Sequence, residues 1–497
     1  MMKRTLAVLI GLLIHFLCSA QQEQQAPKRE FRAVWIATVG NIDWPSKPGL
    51  SAVQQQNEFI NHLNFLATQG FNAVIVQIRP AADAFYPNGI EPWSKYLSGK
   101  QGEPPFPFYD PLAFMIEETH KRNMEFHAWF NPFRALVNSK LNINPPSHVT
   151  RQHPDWVIHY GGKSYLDPGN PEARNYVNNV ILDVVKKYDI DGVHIDDYFY
   201  PYKITGQLFN DGRSYSAYGN GMSIDDWRRD NINKFVEALY KGVKKEKRYV
   251  KVGISPFGIW RNQRQDPRGS ATNGTSCYDD LYADVKTWID NKWLDYVAPQ
   301  LYWEHGHRLA AFDELAPWWR ENCKDRAVYI GMGVYKMVNA KPGVWQGPDE
   351  ILKQLETSRH ARNDGAIMYS MVSFAKAGAG LSQQLKQAKY FGTIAIPPAM
   401  PWLGATAPVA PNATISKQGS RIVLSWNKEL NVSGGLKYMV YRFMKTETAD
   451  LNNAARIIGL TQKTSFVDEV TDGRQYKYVV TALDRLWNES KASQVLE

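Results

Sequence analysis

Asp191-Gly192-Val193-His194-Ile195-Asp196-Asp197-Tyr198-Phe199-Tyr200-Pro201 is an apolar run with a charged, aromatic end. Gly192–Asp196 reads as a short buried strand. Along it His194, Asp196 and Tyr198 fall on one side, and Val193, Ile195 and Asp197 on the other. A helical pattern precedes it at Glu172–Lys187. Another follows at Asp225–Lys244, beyond a long polar-aromatic stretch. Strand, long segment and helix together form one βα unit.

The unit recurs in both directions. Strand patterns fall at Ala33–Ala37, Ala73–Ile78, Glu125–Phe130, Val250–Ser255, Tyr296–Gln300, Val328–Gly331 and Ala366–Tyr369. Further helical patterns cover Val53–Gln69, Pro111–Arg122, Asp279–Lys292 and Asp349–Arg362. Eight alternating units over residues 28–396 predict an α/β fold, a parallel sheet closed as a (β/α)₈ TIM barrel. An open doubly wound sheet is the competing architecture, but no glycine fingerprint follows the first strand. In a barrel, Pro80–Pro107, Pro132–Tyr165, Tyr198–Ser223 and Phe257–Tyr278 become βα loops on one face, where active sites form.

Residues 397–410 hold Pro397, Pro398, Pro401 and Pro408 and read as an extended, fairly stiff linker. Residues 411–497 change character. Ile422–Trp426, Tyr438–Phe443, Ser465–Val467 and Tyr476–Ala482 alternate as sandwich strands, with turns at Ser433-Gly434-Gly435 and Asp472-Gly473. With Trp426 on an early strand and Tyr476 at the corner-tyrosine position, the segment resembles a fibronectin type III domain.

At the other end, residues 1–20 read as an export leader. Lys3 and Arg4 precede an apolar run, Leu6 to Leu17, too short to span a bilayer, and small residues follow. Cys18 leaves a lipid anchor open beside simple cleavage. Loss of Lys3 and Arg4 with the leader lowers the net charge from +9 to +7. No later stretch is long and apolar enough to cross a membrane, and neither a nucleic-acid motif nor a basic stripe is present. Cys277 and Cys323 remain outside the leader, paired or not. Aromatic residues make up 13% of the chain, which serves large cores and equally suits clefts that stack sugars.

Glycosidic cleavage needs one carboxyl group to protonate the leaving oxygen and another to attack the sugar or activate water. Asp196, with Asp197 beside it, ends the fourth strand. Glu304 follows the sixth in Pro299-Gln300-Leu301-Tyr302-Trp303-Glu304. These are the expected catalytic residues, with aromatic desolvation suiting Glu304 to proton donation. Expected substrate contacts are Asp43 and Trp44 after the first strand, Arg79 and Asp83 after the second, and His127, Asn131 and Arg134 about the third. His194, Tyr198, Tyr302, Trp303 and Asp167 complete them. Arg79 suits an acidic partner, either a protein carboxylate or a sugar substituent. No ligand spacing demands a metal, and no cofactor is expected.

Several stretches together resemble the glycosyl hydrolase-like 10 family. They are Glu30–Val39, Gln77–Ala84, His127–Arg134, Asp191–Pro201, Gly253–Arg261 and Asp295–Trp303. The resemblance spans the barrel. It implies a hydrolase of bacterial glycans, and a relative is understood to cleave peptidoglycan strands stripped of their stem peptides. With the leader, this gives an exported enzyme, periplasmic, envelope-associated or secreted, acting on a glycan strand. An α-glucan or other polysaccharide hydrolase of the same fold, and a non-catalytic glycan-binding barrel, are the alternatives.

Overall fold

The computed structural model describes residues 26–140, 144–338, 340, 342–387, 392–427 and 434–497. The expected leader, with Cys18, lies outside the described residues. The barrel strands are β1 (Phe31–Ile36), β2 (Ala73–Arg79), β3 (Glu125–Phe130), β4 (Gly192–Ile195), β5 (Lys251–Ile254), β6 (Tyr296–Val297), β7 (Ala327–Met332) and β8 (Gly365–Met368). They pair in parallel and in sequence order, and β8 returns to β1 to close the barrel. The open-sheet alternative is thereby excluded.

A main helix follows each strand, with short extra helices in several loops: α1 (Ala52–Thr68), α2 (Pro111–Lys121), α3 (Pro171–Lys187), α4 (Ile224–Glu246), α5 (Val285–Asp290), α6 (Phe312–Asn322), α7 (Asp349–His360) and α8 (Met371–Gln387). Their starts are written in the sequence. Ser51, Asp110, Asn170 and Ser223 each cap an orphan backbone N–H, and Pro111 and Pro171 occupy first-turn positions. The helical run expected at Asp279–Lys292 is broken. Tyr282 adopts a left-handed φ of 56°, and Asp284 caps a fresh start at α5.

Val34, Val76, Phe126, Ile195, Ile254 and Ile330 point outward and pack under the helices, while the barrel interior is aromatic. Phe31 stacks on Tyr329 at 4.1 Å. Glycine makes room for these rings: a Cβ on Gly253 would sit 1.9 Å from the Tyr296 ring.

Two three-stranded antiparallel sheets form the C-terminal all-β sandwich. β9 (Ala413–Gln418), β10 (Arg421–Trp426) and β13 (Ser465–Glu469) make one. β12 (Ile457–Thr461), β11 (Lys437–Met444) and β14 (Tyr476–Leu483) make the other. The Tyr476 hydroxyl donates to Asp472, four residues upstream.

The sandwich docks on the floor of the barrel, opposite the active-site face. Buried Glu125 on β3 pairs with buried Lys251 on β5 and accepts from the Trp487 indole at 2.5 Å. Burial works to raise the Glu125 carboxyl, but Lys251 and His127 outweigh it and hold it at about 2. Met400 and Leu403 from the proline-rich segment join the same floor, and Trp402 donates to Asp295. Cys277 and Cys323 are separate buried thiols, bonded to the carbonyls of Phe257 and Arg326. Among the described residues no helix is long and apolar enough to cross a membrane.

Candidate active site

The C-terminal ends of the strands open into a cavity of about 300 Å³. Trp35 (β1), Trp129 (β3), Tyr302, Tyr335 and Tyr369 make its aromatic walls. Asp196, one residue past β4, is the sole carboxylate in its lining. Asn131 donates to Asp196 Oδ2 at 2.7 Å, and the Asp197 backbone N–H donates to Oδ1 at 2.9 Å. Gln300, just beyond β6, stands 3.5 Å from the same Oδ1. Every hydrogen bond in this set has Asp196 as acceptor, which suits a carboxylate.

Asp197 turns to the other side of the strand end, as alternation demands. It is buried, and Tyr202 donates to its carboxyl. Burial first, and then the neighbouring Asp196, push Asp197 well above the carboxylate range. Two adjacent carboxyl groups resist ionising together in such a setting. Asp197 is therefore the member of the pair biased toward its protonated form.

Tyr198 stands beside Asp196. Its hydroxyl accepts from Arg134, whose Nε also donates to the Pro80 carbonyl at 2.7 Å. Burial lifts the phenol well above its ordinary range, so it stays neutral.

Below the cavity, His194 is a positioning group. Its Nε2 accepts from the Trp35 indole at 3.0 Å, which leaves Nδ1–H to donate to Tyr296 at 2.9 Å. Burial, and then His127, lower its pKa well below the usual value, so the ring is neutral. The two bonds fix the Trp35 wall.

A family model described as Glycosyl hydrolase-like 10 matches residues 30–346. The chain belongs to the glycosyl hydrolase-like 10 family. It is 46% identical over 497 residues to the glycosyl hydrolase YngK of Bacillus subtilis, across 97% of this chain and 95% of that protein. It is 40% identical over 332 residues to the glycosyl hydrolase DigH of Escherichia coli (strain K12), across 63% of this chain and 75% of that one. The PgaB glycoside hydrolase domain from Bordetella bronchiseptica shares the fold. The TM-score is 0.50 at 13% identity, covering 72% of this chain and 99% of that domain. Family and relatives make the chain a glycoside hydrolase.

Within this family member the expected site residues divide. Asp196, Tyr198, Arg134 and Tyr302 line the cavity, and Asn131 braces Asp196 from behind. Glu304 lies two residues past Tyr302, outside the lining. It is half-buried, and its carboxylate accepts from Trp345 at 3.1 Å. Trp303 packs edge-on against Phe257.

The other expected contacts brace the barrel mouth and do not face the cavity. Arg79 and Glu91 form a fully buried bidentate pair, so the carboxylate Arg79 holds is the protein's own. Asp43 accepts from the backbone of Ala37 and Val372 and from the Ser370 hydroxyl. Trp44 is sealed under α1, donating to the Gln55 carbonyl. Asp83 holds the turn at Ala81, and Asp167 holds Gly169 and Ser214. Each of these three aspartates has a pKa raised chiefly by burial. His127 sits deep in the barrel between Glu125 and Tyr296.

Sequence reasoning did not single out Trp35, Gln77, Trp129, Gln300, Tyr335 or Tyr369, all of which line the cavity. Gln77, Trp129 and Gln300 were findable, since each ends or follows an inward-facing strand position. Tyr335 gave no such signal. No three His, Cys, Asp or Glu side chains among the described residues cluster as a metal site would require.

Proposed function

We propose that this enzyme cleaves glycosidic bonds in a cell-wall glycan, namely peptidoglycan strands freed of their stem peptides. The supporting observation is Asp196 standing alone as the carboxylate of a ring-walled cavity, with a hydrogen bond from the Asn131 amide fixing its orientation and buried Asp197 behind it. Indole and phenol faces stack against the C–H faces of pyranose rings.

In this reading Asp196 attacks the anomeric carbon or activates water, and Asp197 steadies it by keeping its own proton. Glu304 donates the proton to the leaving oxygen, its carboxyl turning from Trp345 toward the cavity. The leader-like residues 1–20 fit delivery to the periplasm or cell envelope.

The test is mass spectrometry of products after incubation with peptidoglycan strands pre-digested by an amidase, with starch and xylan in parallel. Shortened oligosaccharides from the peptide-free strands are expected. Release from starch or xylan alone would overturn the substrate. Binding to every glycan without product would overturn the catalytic reading.

A further inference from the structure

A second cavity of about 300 Å³ adjoins the first, with Tyr198 as a wall of both. Tyr160, Tyr165 and Tyr202 complete its aromatic lining, with Ile204 and Lys163 beside them. We infer that this cavity is a second sugar subsite, and that Lys163 at its edge takes the carboxylate of an acidic amino sugar. The inference rests on the proposed function and narrows its substrate.

The rings are held before any ligand arrives. Tyr202 is anchored through its hydroxyl to Asp197, yet 40% of the residue is exposed. The Tyr160 hydroxyl accepts from the Ile204 N–H at 2.6 Å, and the rings of Tyr160 and Tyr165 both pack edge-on against Phe209. Platforms already pinned lose little conformational freedom when a sugar stacks on them.

Lys163 is placed with similar care. The antiparallel strands Val157–Tyr160 and Lys163–Leu166 meet at the tight turn Gly161-Gly162, where both glycines have positive φ. A Cβ on Gly161 would press to 2.6 Å of the Ile204 side chain, so the turn lies flush on the loop that carries Tyr202. Lys163 is exposed, and its ammonium has no ion pair or hydrogen bond among the described residues.

A peptide-free glycan strand carries a free carboxylate on the lactyl ether of every second sugar. A stem peptide converts that group to a neutral amide and adds bulk. A cation free to pair beside a ring-sized cavity thus favours the stripped strand through the charge on the sugar itself, the acids of a stem peptide lying further out. Tyr198 then separates the sugar being cleaved from its acidic neighbour.

The experiment compares wild type with Lys163→Ala and Lys163→Arg on amidase-stripped strands and on the same strands after methyl esterification. Wild type should prefer the free acid by about fivefold in kcat/KM. That preference should fall close to one in Lys163→Ala, mainly through KM, and return in Lys163→Arg. Equal preference in wild type and Lys163→Ala would overturn the subsite while leaving the proposed function standing. No cleavage of stripped strands by wild type would overturn both.

Discussion

Asn131 presents its amide nitrogen to Asp196 because its carbonyl end is already taken. Gln77 donates to Asn131 Oδ1 at 2.5 Å and Arg134 at 3.0 Å, leaving Nδ2 free to face Asp196 Oδ2 at 2.7 Å. Gln77 is itself oriented by the backbone N–H groups of Thr38 and Val39, which donate to its oxygen. The line runs across the ends of four neighbouring strands, β1 to β4, and sets the rotamer of the carboxylate. Asn131→Ala should therefore lower kcat by about a hundredfold with little change in KM. Steady-state kinetics on stripped strands, with circular dichroism to confirm the fold, check this.

Asp196→Asn should remove at least about a thousandfold of activity while leaving the melting temperature within a few degrees. The amide keeps the size of the group but cannot attack or accept a proton. Parallel rate and thermal-melt measurements separate the two effects. Full activity in this variant would end the assignment.

Glu304→Gln probes the proton donor. On natural strands, whose leaving oxygen needs a proton, the rate should fall by about a hundredfold or more. On an aryl glycoside with an acidic phenol as leaving group the loss should be small. Equal losses on both substrates would assign Glu304 to positioning, and another group would have to supply the proton.

Asp197 makes stability depend on pH. Its folded-state pKa lies above its ordinary value of 3.8, chiefly through burial and then through Asp196. The native state thus binds a proton that the unfolded chain releases, and stability falls as pH rises from about 4 toward the folded value. Asp197→Asn mimics the protonated group, accepting from Tyr202 and donating toward Asp196. Its melting temperature should gain on wild type as pH rises from about 4 toward the folded value. A constant difference across that range would contradict the buried, protonated state.

Trp487→Ala should destabilise the protein by about 3–5 kcal/mol. It empties an indole-sized space at the barrel floor and removes a donor from Glu125 beside Lys251. Urea unfolding followed by tryptophan fluorescence and circular dichroism measures the loss.

The eight barrel strands were legible because buried parallel strands read as short apolar runs, and because helical period 3.6 follows most of them. Asp196 was legible for a related reason: a charge closing such a run is costly unless it has a task. Arg79, Asp83 and Asp167 satisfy the same criterion, and the structure gives them bracing partners instead. A polar residue at a strand end announces a hydrogen bond, but not whether protein or ligand supplies the partner. The break before α5 went unread because a left-handed tyrosine leaves no mark in periodicity. Tyr335 went unread because which loop folds over the mouth depends on contacts distant in sequence.

The floor of the barrel carries a further consequence. Lys251 and Glu125 sit at an opening that the strands alone leave unsealed, and the stopper comes from nearly 240 residues further along the chain, in Trp487 and Leu486. Cut loose at the proline-rich segment, the upstream portion would admit water to an ion pair built for a dry site. The two parts are expected to melt together in one transition, and the catalytic portion expressed alone is expected to lose stability.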